Sequence, residues 1–283
     1  MNITGNTPLI AIDNDCRIWA KLETHNRTGS VKDRMIEYIC DLAVANGLIV
    51  PGETILVEAT SGNTGIALAS YAASMNCPCK IIMPGNMSQQ RKDMMLAFGA
   101  VILETGDNDF HDAIKIRDNL CKLPGYFSPM QFSNPLNIEC HFKETAPEIY
   151  GKLITEMRPL KWSAFVHGAG TGGTMMGVKK YVDHMNLDVK CVLTQPAESN
   201  ATHGIQGIND GADFLLNRSL MDEIISVKTE EAIARMKRYW QETGILVGIS
   251  SGANILAAEK YIKMHDPKGI VVTILCDRGE RYL

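Results

Sequence analysis

A lysine at the start of a predicted helix is the residue best placed to act as a reactive amine. Lys32 follows Gly29 and Ser30, which have turn and N-cap character, and apolar residues recur at helical spacing from Met35 to Val44. Lys32 therefore falls in the first turn, where the helix dipole disfavours an ammonium charge. A partly desolvated lysine there would have a lowered pKa and could form a Schiff base or act as a general base. The alternative is an ordinary solvated lysine.

A glycine-rich loop between a predicted strand and a predicted helix has the composition of an anion site. The strand is predicted over Ala164–His167 and the helix over Thr174–His184, and the loop between them reads GAGTGGT. Glycines let backbone N–H groups approach an anion, the helix N-terminus adds its dipole, and Thr171 and Thr174 add hydroxyl groups. The loop also satisfies GxGxxG, but the acidic residue that a dinucleotide site needs is absent from the end of the next strand, and Glu198 lies beyond it. A phosphate monoester is favoured, with a dinucleotide or a structural turn as alternatives.

Two further loops carry hydroxyl groups at the start of predicted helices. The segment Thr60–Thr64 (TSGNT) follows a predicted strand, and Gly248–Gly252 (GISSG) opens a helix. The first could bind a carboxylate and an aromatic hydroxyl, although both loops could equally be capped turns. Together, an amine, an anion loop, a carboxylate loop and a helix-start hydroxyl match the needs of pyridoxal 5'-phosphate (PLP), whose aldehyde, phosphate, ring hydroxyl and pyridine nitrogen all require partners.

Length, charge and cysteine usage limit the class of protein. A chain of 283 residues is long enough for two domains, and its net charge of -4 is spread over residues of both signs. That balance argues against a nucleic-acid or membrane partner and favours a small molecule. No signal peptide or membrane-spanning run is evident, so a cytoplasmic location is expected. The eight cysteines lack metal-ligand spacing, so we expect reduced, mostly buried thiols and no metal site.

Alternating strand and helix patterns predict an α/β protein with mostly parallel sheets. Predicted strands are 18–22, 54–59, 80–83, 101–103, 164–167, 189–193 and 270–276, and predicted helices are 35–44, 66–75, 88–98, 112–121, 144–156, 174–184, 229–244 and one that opens at 249. Residues 125–135 lack periodicity and predict a crossing between domains. No internal repeat or long linker is present.

Five motifs occur in a fixed order along nearly the whole chain. They are SVKDR from Ser30, EATSGNTGIALA from Glu58, GTGGTMMG from Gly170, GISSG from Gly248 and CDRGERYL from Cys276. In this order they resemble the cysteine synthases, the O-acetylserine sulfhydrylases of the fold-type II PLP enzymes, with features of both the A and B types. The resemblance implies a large PLP-binding domain of residues 1–34 and 134–283, a smaller mobile substrate domain of residues 35–133, and an active site in the cleft between them.

The resemblance also implies a role for individual residues. Lys32 would form the Schiff base and act as the catalytic base, Asn63 would meet the ring hydroxyl of the cofactor, and Ser250 would face its pyridine nitrogen. The phosphate would be held by Gly170, Thr171, Gly172, Gly173 and Thr174, and the substrate by Thr60, Ser61, Gly62, Thr64, Gln131 and Gly207. A neutral serine beside the nitrogen leaves it unprotonated, which suits β-elimination.

The implied reaction is a β-replacement in which O-acetylserine loses acetate and gains sulfide, or thiosulfate, to form cysteine. The loop GIQGI from Gly204 to Ile208 has no arginine for a phosphoserine substrate, which favours O-acetylserine. A homodimer and a serine acetyltransferase partner are also implied. Alternatives are a cystathionine β-synthase that uses homocysteine, a catalytically silent relative that binds a partner, and a dinucleotide-dependent oxidoreductase. The chain departs from the family pattern at Arg27 and Thr28.

Overall fold

The computed structural model describes residues 3–60, 62–155, 161–199, 204–209 and 213–283. The chain divides into two compact units, of which unit 1 comprises residues 1–31 with 135–283 and unit 2 comprises residues 32–134. Both units are α/β, with largely parallel sheets and helices, and this confirms the predicted fold class. The roles predicted for the two domains stay predictions.

The strands and helices alternate along most of the chain. In chain order the described elements are β1 (Leu9–Ala11), β2 (Ile18–Leu22), α1 (Lys32–Ala45), β3 (Ile55–Ala59), α2 (Asn63–Ser74), β4 (Cys79–Pro84), α3 (Gln89–Ala97), β5 (Val101–Thr105), α4 (Phe110–Leu120), β6 (Tyr126–Phe127), α5 (Leu136–Cys140), α6 (Ala146–Thr155), β7 (Trp162–Gly168), α7 (Gly173–His184), β8 (Lys190–Pro196), β9 (Glu223–Val227), α8 (Thr229–Thr243), α9 (Ile249–His265) and β10 (Ile270–Leu275). A π-helical turn, His141–Thr145, joins α5 to α6. None of the described helices is long and apolar enough to cross a membrane.

The sheet of unit 1 has the strand order β1-β2-β10-β7-β8-β9 over the described residues. Only β1 runs antiparallel to its neighbour, and the other pairs are parallel. Successive residues of β7 enter different core clusters, Ala164 and Val166 on one side and Phe165 on the other. Both faces of the central strands are therefore covered, as a parallel sheet requires.

The sheet of unit 2 has the order β5-β4-β3-β6 and is parallel throughout its described part. Strand β3 is buried from Leu56 to Ala59, and the carboxylate of Glu58 is the one charge among these apolar side chains. Helix α2 is rich in alanine, glycine and serine and is buried from Thr64 to Ala72. Its small side chains let it pack closely against α1, α3 and the sheet.

Several elements differ from the sequence prediction. Helix α2 begins at Asn63 instead of Ile66, so Asn63 and Thr64 lie in its first turn and not in a loop. Strand β9 was not predicted, since it is an edge strand that exposes Ile224 and lacks a simple apolar pattern. The helical segment predicted to begin at Glu144 begins at Leu136, because α5 and the π-helical turn precede α6.

The cysteines are free thiols, and most of them are buried, as predicted. Burial raises the pKa of Cys79 and Cys191 to about 12 and also raises that of Cys40 and Cys121. Cys16 is exposed. Among the described residues, no group of three or more histidine, cysteine, aspartate or glutamate side chains could hold a metal ion.

We expect one of the eight thiols to react rapidly with Ellman's reagent in the native protein near pH 8, because only Cys16 is exposed and thiolates are the reacting species. In denaturant all eight should react. The variant Cys16→Ser should lose the rapid phase and keep the rest. Two or more rapid thiols in the native protein would contradict the described burial.

Candidate functional site

Three glycines of the loop that follows β7 approach neighbouring atoms too closely for a Cβ. Gly172 has a φ of +90°, and a Cβ there would lie 2.5 Å from the backbone nitrogen of Leu216. A Cβ on Gly170 would lie 2.6 Å from the carbonyl oxygen of Gly207, and one on Gly173 would overlap the Oδ1 atom of Asn137. The loop therefore presents backbone N–H groups at the start of α7, where the first turn has no intrahelical acceptors.

Two side chains from the α5 segment contact the threonine hydroxyls of the loop. The Nδ2 atom of Asn137 donates to Oγ1 of Thr171 at 3.0 Å. One ring nitrogen of His141 lies 3.1 Å from Oγ1 of Thr174, and the other lies 2.8 Å from Oγ1 of Thr145. Asn137, His141 and Thr145 recur every four residues, so one face of this helical segment supports the loop.

Residues 207–209 form the opposite support of the same loop. The backbone N–H of Asn209 donates to Ala169 O at 2.9 Å, and its Nδ2 atom donates to Gly170 O at 2.9 Å. Gly207, predicted to contact substrate, has a φ of +88° and lies beside Gly170. The structure thus brings Gly207 to the glycine loop although the two are distant in sequence.

The donor set of the loop fits the phosphate of PLP. Backbone N–H groups, the positive end of the α7 dipole and two buried threonine hydroxyls are available, and residues 168–174 include no acidic side chain. The carboxylate of Glu198 accepts hydrogen bonds from the backbone N–H and hydroxyl of Thr229, at 2.9 and 3.3 Å, at the start of α8. Glu198, the acid that a dinucleotide site would use to bind the ribose, is therefore already bonded to the start of α8.

Ser250 is buried in the first turn of α9. The preceding Gly248 donates its N–H to Asp277 O at 3.0 Å, and a Cβ on Gly248 would overlap the Asp277 carboxylate. The neighbouring Ser251 accepts from the backbone N–H of Cys276 at 2.9 Å. The segment after β10 therefore fixes the helix start that carries Ser250.

Lys32 is the first residue of α1 and is half-buried, as expected for its predicted place in the first turn. Residues 29–31, which precede it, pair with residues 276–278: Val31 N–H donates to Cys276 O at 2.8 Å, and Arg278 N–H donates to Gly29 O at 3.1 Å. Arg281 also donates to Thr28 O. The backbone that leads into the lysine is thus held by residues from the far end of the sequence.

Three of the predicted ligand residues lie where β3 passes into α2. Thr60 is buried, and its N–H donates to Ile82 O at 3.0 Å. Gly62 is the N-cap residue of α2, and Asn63 is the first residue of the helix. Ser61 lies outside the described residues. This strand-to-helix junction is the position at which open α/β sheets bind ligands.

A network of buried hydrogen bonds connects two predicted substrate residues of unit 2. Thr64 Oγ1 donates to Gln131 Oε1 at 2.7 Å. The backbone N–H of Gln131 donates to Glu58 Oε2 at 3.1 Å, and Arg117 Nη1 donates to Glu58 Oε1 at 2.8 Å. Burial raises the pKa of Glu58, and the Arg117 guanidinium opposes that rise. We call these four residues the Glu58 network.

Four supporting residues were not singled out from the sequence: Glu58, Arg117, Asn137 and His141. Glu58 begins one of the five motifs, and a carboxylate in a short apolar strand is a usable signal of a buried ion pair. The periodic spacing of Asn137, His141 and Thr145 was another signal. Arg117 offered none, because its partner lies 59 residues away in sequence.

Comparison with known proteins places the chain in a family. The family described as pyridoxal-phosphate dependent enzyme matches residues 1–277. A cysteine synthase of Staphylococcus aureus strain Mu50 is 39% identical, with 99% of this chain and 94% of that protein covered. A hydrogen sulfide-producing enzyme from Fusobacterium nucleatum has a TM-score of 0.90 at 35% identity, covering 99% of this chain and 96% of that chain.

A further solved structure with the same fold is the O-acetylserine dependent cystathionine beta-synthase from Helicobacter pylori. Its TM-score is 0.89 at 30% identity, and 99% of this chain and 95% of that chain are covered. The sequence matches extend over almost the full length of both chains, so they include every motif from which the resemblance was argued. On these grounds the chain belongs to the pyridoxal-phosphate dependent enzymes, within their cysteine synthase family.

Proposed function

We propose that this protein is a PLP-dependent cysteine synthase that converts O-acetylserine and sulfide into L-cysteine and acetate. The observation that carries the proposal is the 39% identity to a cysteine synthase across 99% of the chain. The glycine loop and the Glu58 network support it, because one offers donors for a phosphate and the other offers polar groups for an amino-acid carboxylate.

In unit 1, Gly170 to Thr174 would hold the cofactor phosphate. The hydroxyls of Thr171 and Thr174 are oriented by Asn137 and His141, so their conformational freedom is already restricted before a ligand binds. When bound, PLP supplies an electron sink for the electron pair left after removal of a substrate α-proton. Ser250 would offer a neutral hydroxyl to the pyridine nitrogen, and Asn63 an amide group to the ring hydroxyl.

Lys32 would hold the cofactor between turnovers and take the α-proton of the substrate at its Nζ atom. Its position in the first turn of α1 favours the neutral amine, since the helix dipole and the N–H groups there disfavour a second positive charge. The backbone contacts of residues 29–31 fix the main chain from which the Lys32 side chain extends. A general base must be held within hydrogen-bond reach of the proton that it removes.

In unit 2, Thr60, Ser61, Gly62, Thr64 and Gln131 would bind the substrate carboxylate, and in unit 1 Gly207 would contact the substrate. The hydrogen bond between Thr64 and Gln131 supports this assignment, because it holds an amide side chain beside the start of α2, where N–H groups favour an anion. Unit 1 would accordingly hold the phosphate and pyridine nitrogen of the cofactor, and unit 2, which begins at Lys32, would be the mobile substrate domain.

The wider setting of the enzyme also belongs to the proposal. Free, mostly buried cysteines support a reducing compartment, and we propose the cytoplasm. A homodimer and binding to serine acetyltransferase, which the sequence resemblance implies, stay predictions.

A second candidate function is the cystathionine β-synthase reaction, in which homocysteine takes the place of sulfide. The observation that favours this candidate is the structural likeness to the Helicobacter pylori enzyme, with a TM-score of 0.89. Both reactions begin with the same loss of acetate from O-acetylserine, so the proposed cofactor-binding and carboxylate-binding residues would serve either reaction. The nucleophile accepted in the second half of the reaction distinguishes them.

The direct test supplies purified, PLP-loaded protein with O-acetylserine and one sulfur donor at a time. We expect cysteine and acetate to appear in equal amounts with sulfide, and cysteine to form about tenfold or more faster than cystathionine forms with homocysteine. Faster cystathionine formation would support the second candidate. If neither product forms, the protein is a catalytically silent relative and the proposal is refuted. Thiosulfate in a parallel assay tests the other predicted sulfur donor.

Replacing the proposed base should abolish turnover without loss of the fold. The variant Lys32→Ala should lower kcat by at least about 10³-fold, because it removes both the tether and the general base. It should also lose the visible absorbance of lysine-bound PLP. The variant Lys122→Ala is a control, since that lysine is exposed in the same unit and should leave both measurements unchanged. A yellow, active Lys32→Ala protein would refute the assignment.

Adding one methyl group to the glycine loop should weaken cofactor binding. In Gly173→Ala the new Cβ overlaps Asn137, so either the loop or Asn137 must shift, and we expect the Kd for PLP to rise by about tenfold or more. Fluorescence titration of the apoprotein measures the Kd, and its melting temperature reports the fold. The control Gly151→Ala lies in α6 with nothing within 4 Å of its Cβ and should bind PLP normally. Unchanged affinity in Gly173→Ala would contradict the proposed phosphate site.

A further inference from the structure

The ion pair at the centre of the Glu58 network is buried. The side chain of Glu58 is 0% exposed and that of Arg117 is 6% exposed. Removing two charges from water is costly, and well-packed apolar residues at such positions often give equal or greater stability. A carboxylate at the carboxyl end of an otherwise apolar strand therefore calls for a role besides packing.

The contacts of Glu58 show what the carboxylate holds. It accepts from the side chain of Arg117, from the N–H of Ala59 at 3.0 Å and from the N–H of Gln131 at 3.1 Å. All three partners are donors, so the ionised carboxylate satisfies each of them. Glu58 thus fixes the main chain of Gln131, a residue between β6 and α5 that lies in neither a helix nor a strand.

The conformation of that segment is unusual. Met130 has a φ of +55°, a left-handed conformation that costs free energy for a residue with a side chain. Met130 O also accepts from the backbone N–H groups of Ser133 and Asn134, at 3.0 and 2.9 Å. The surrounding contacts must hold this turn, and the bond from Gln131 N–H to Glu58 immediately follows it.

Charge explains why the acid is paired. A lone carboxylate at the end of β3 would repel an anionic ligand bound nearby, and the Arg117 guanidinium neutralises it. Arg117 also contacts the half-exposed Asp118, at 2.7 Å, which fixes the guanidinium from its other side. The buried pair therefore carries no net charge, and the second carboxylate on Arg117, that of Asp118, is half-exposed to water.

From these contacts we infer that Glu58 and Arg117 are positioning residues for recognition of the substrate carboxylate: Arg117 neutralises and orients Glu58, and Glu58 fixes the main chain of Gln131. The Thr64 hydroxyl, which donates to Gln131 Oε1, then orients the amide group that meets the carboxylate. This inference rests on the proposed function, which assigns the substrate carboxylate to Thr64 and Gln131. It predicts that loss of the ion pair weakens the binding of a ligand that has a carboxylate and leaves unchanged the binding of a matched ligand that lacks one.

The test compares two ligands that differ only in the carboxylate, L-serine and ethanolamine. Their Kd values are measured by isothermal titration calorimetry on the PLP-loaded parent protein and on Glu58→Gln and Arg117→Met. We expect both variants to lose about tenfold of the preference for serine and to bind ethanolamine as the parent does. In steady-state assays the KM for O-acetylserine should rise about tenfold while kcat changes by less than about threefold.

Two further variants separate positioning from general stability. Arg117→Lys keeps a cation near Glu58 and should retain most of the serine preference. This variant also tests the inference if Arg117→Met does not fold. Tyr71→Phe removes another side-chain hydrogen bond of unit 2, the part-buried bond from Tyr71 to Asp41 at 2.7 Å, and should lower the melting temperature but keep the serine preference.

The outcomes distinguish the inference from the proposed function. A parent protein that prefers serine, with folded Glu58→Gln and Arg117→Met variants that keep this preference, would overturn the inference alone. Equal losses of affinity for serine and ethanolamine would also overturn it, since they indicate a merely structural role. A parent protein that shows no preference for serine would refute the proposed carboxylate site and the inference with it.

Discussion

Close approach of backbone to backbone at the glycine loop is the constraint on which unit 1 depends. Gly170 and Gly172 lie against residues 207 and 216, and Gly173 lies against Asn137, so three segments distant in sequence meet at positions that have no room for a Cβ. Interiors packed at this density do not yield easily to an added methyl group. The backbone N–H groups at the start of α7, which we propose to bind the cofactor phosphate, are therefore set by packing before any ligand arrives, and little conformational entropy would be lost on binding.

Unit 2 achieves the same preorganisation by another means. Its Thr64 and Gln131 are oriented by buried hydrogen bonds that end in an ion pair, and close backbone contact plays a smaller part. Such a network is sensitive to the loss of any one member, since a remaining buried partner is left unsatisfied. The two units thus differ in emphasis: close contacts of glycines shape the loop of unit 1, and a buried ion pair with its hydrogen bonds fixes Gln131 in unit 2.

Sequence reasoning recovered the parts of the structure that local patterns encode. The alternation of strands and helices followed from periodicity, and the turn chemistry before α1 was enough to locate Lys32 at a helix start. Edge strand β9 was not predicted, because its exposed face carries the apolar Ile224 and the strand therefore lacks a clear alternation of apolar and polar residues. The predicted start of α2, at Ile66, was wrong because asparagine and threonine are common in loops, whereas here Asn63 and Thr64 form the first helical turn. The partners of Glu58 and Thr174 could not be predicted, because these contacts depend on tertiary pairing over long sequence separations.

The pairing of residues 29–31 with residues 276–278 has a consequence for biosynthesis. A ribosome that adds roughly 5–20 residues per second needs on the order of tens of seconds to travel between these two segments. The backbone before Lys32 cannot complete its hydrogen bonds until the later segment has emerged. The backbone before Lys32 therefore reaches its final hydrogen-bonded form only after residues 276–278 have been synthesised, and the cofactor binding that we propose for this lysine must wait for that segment.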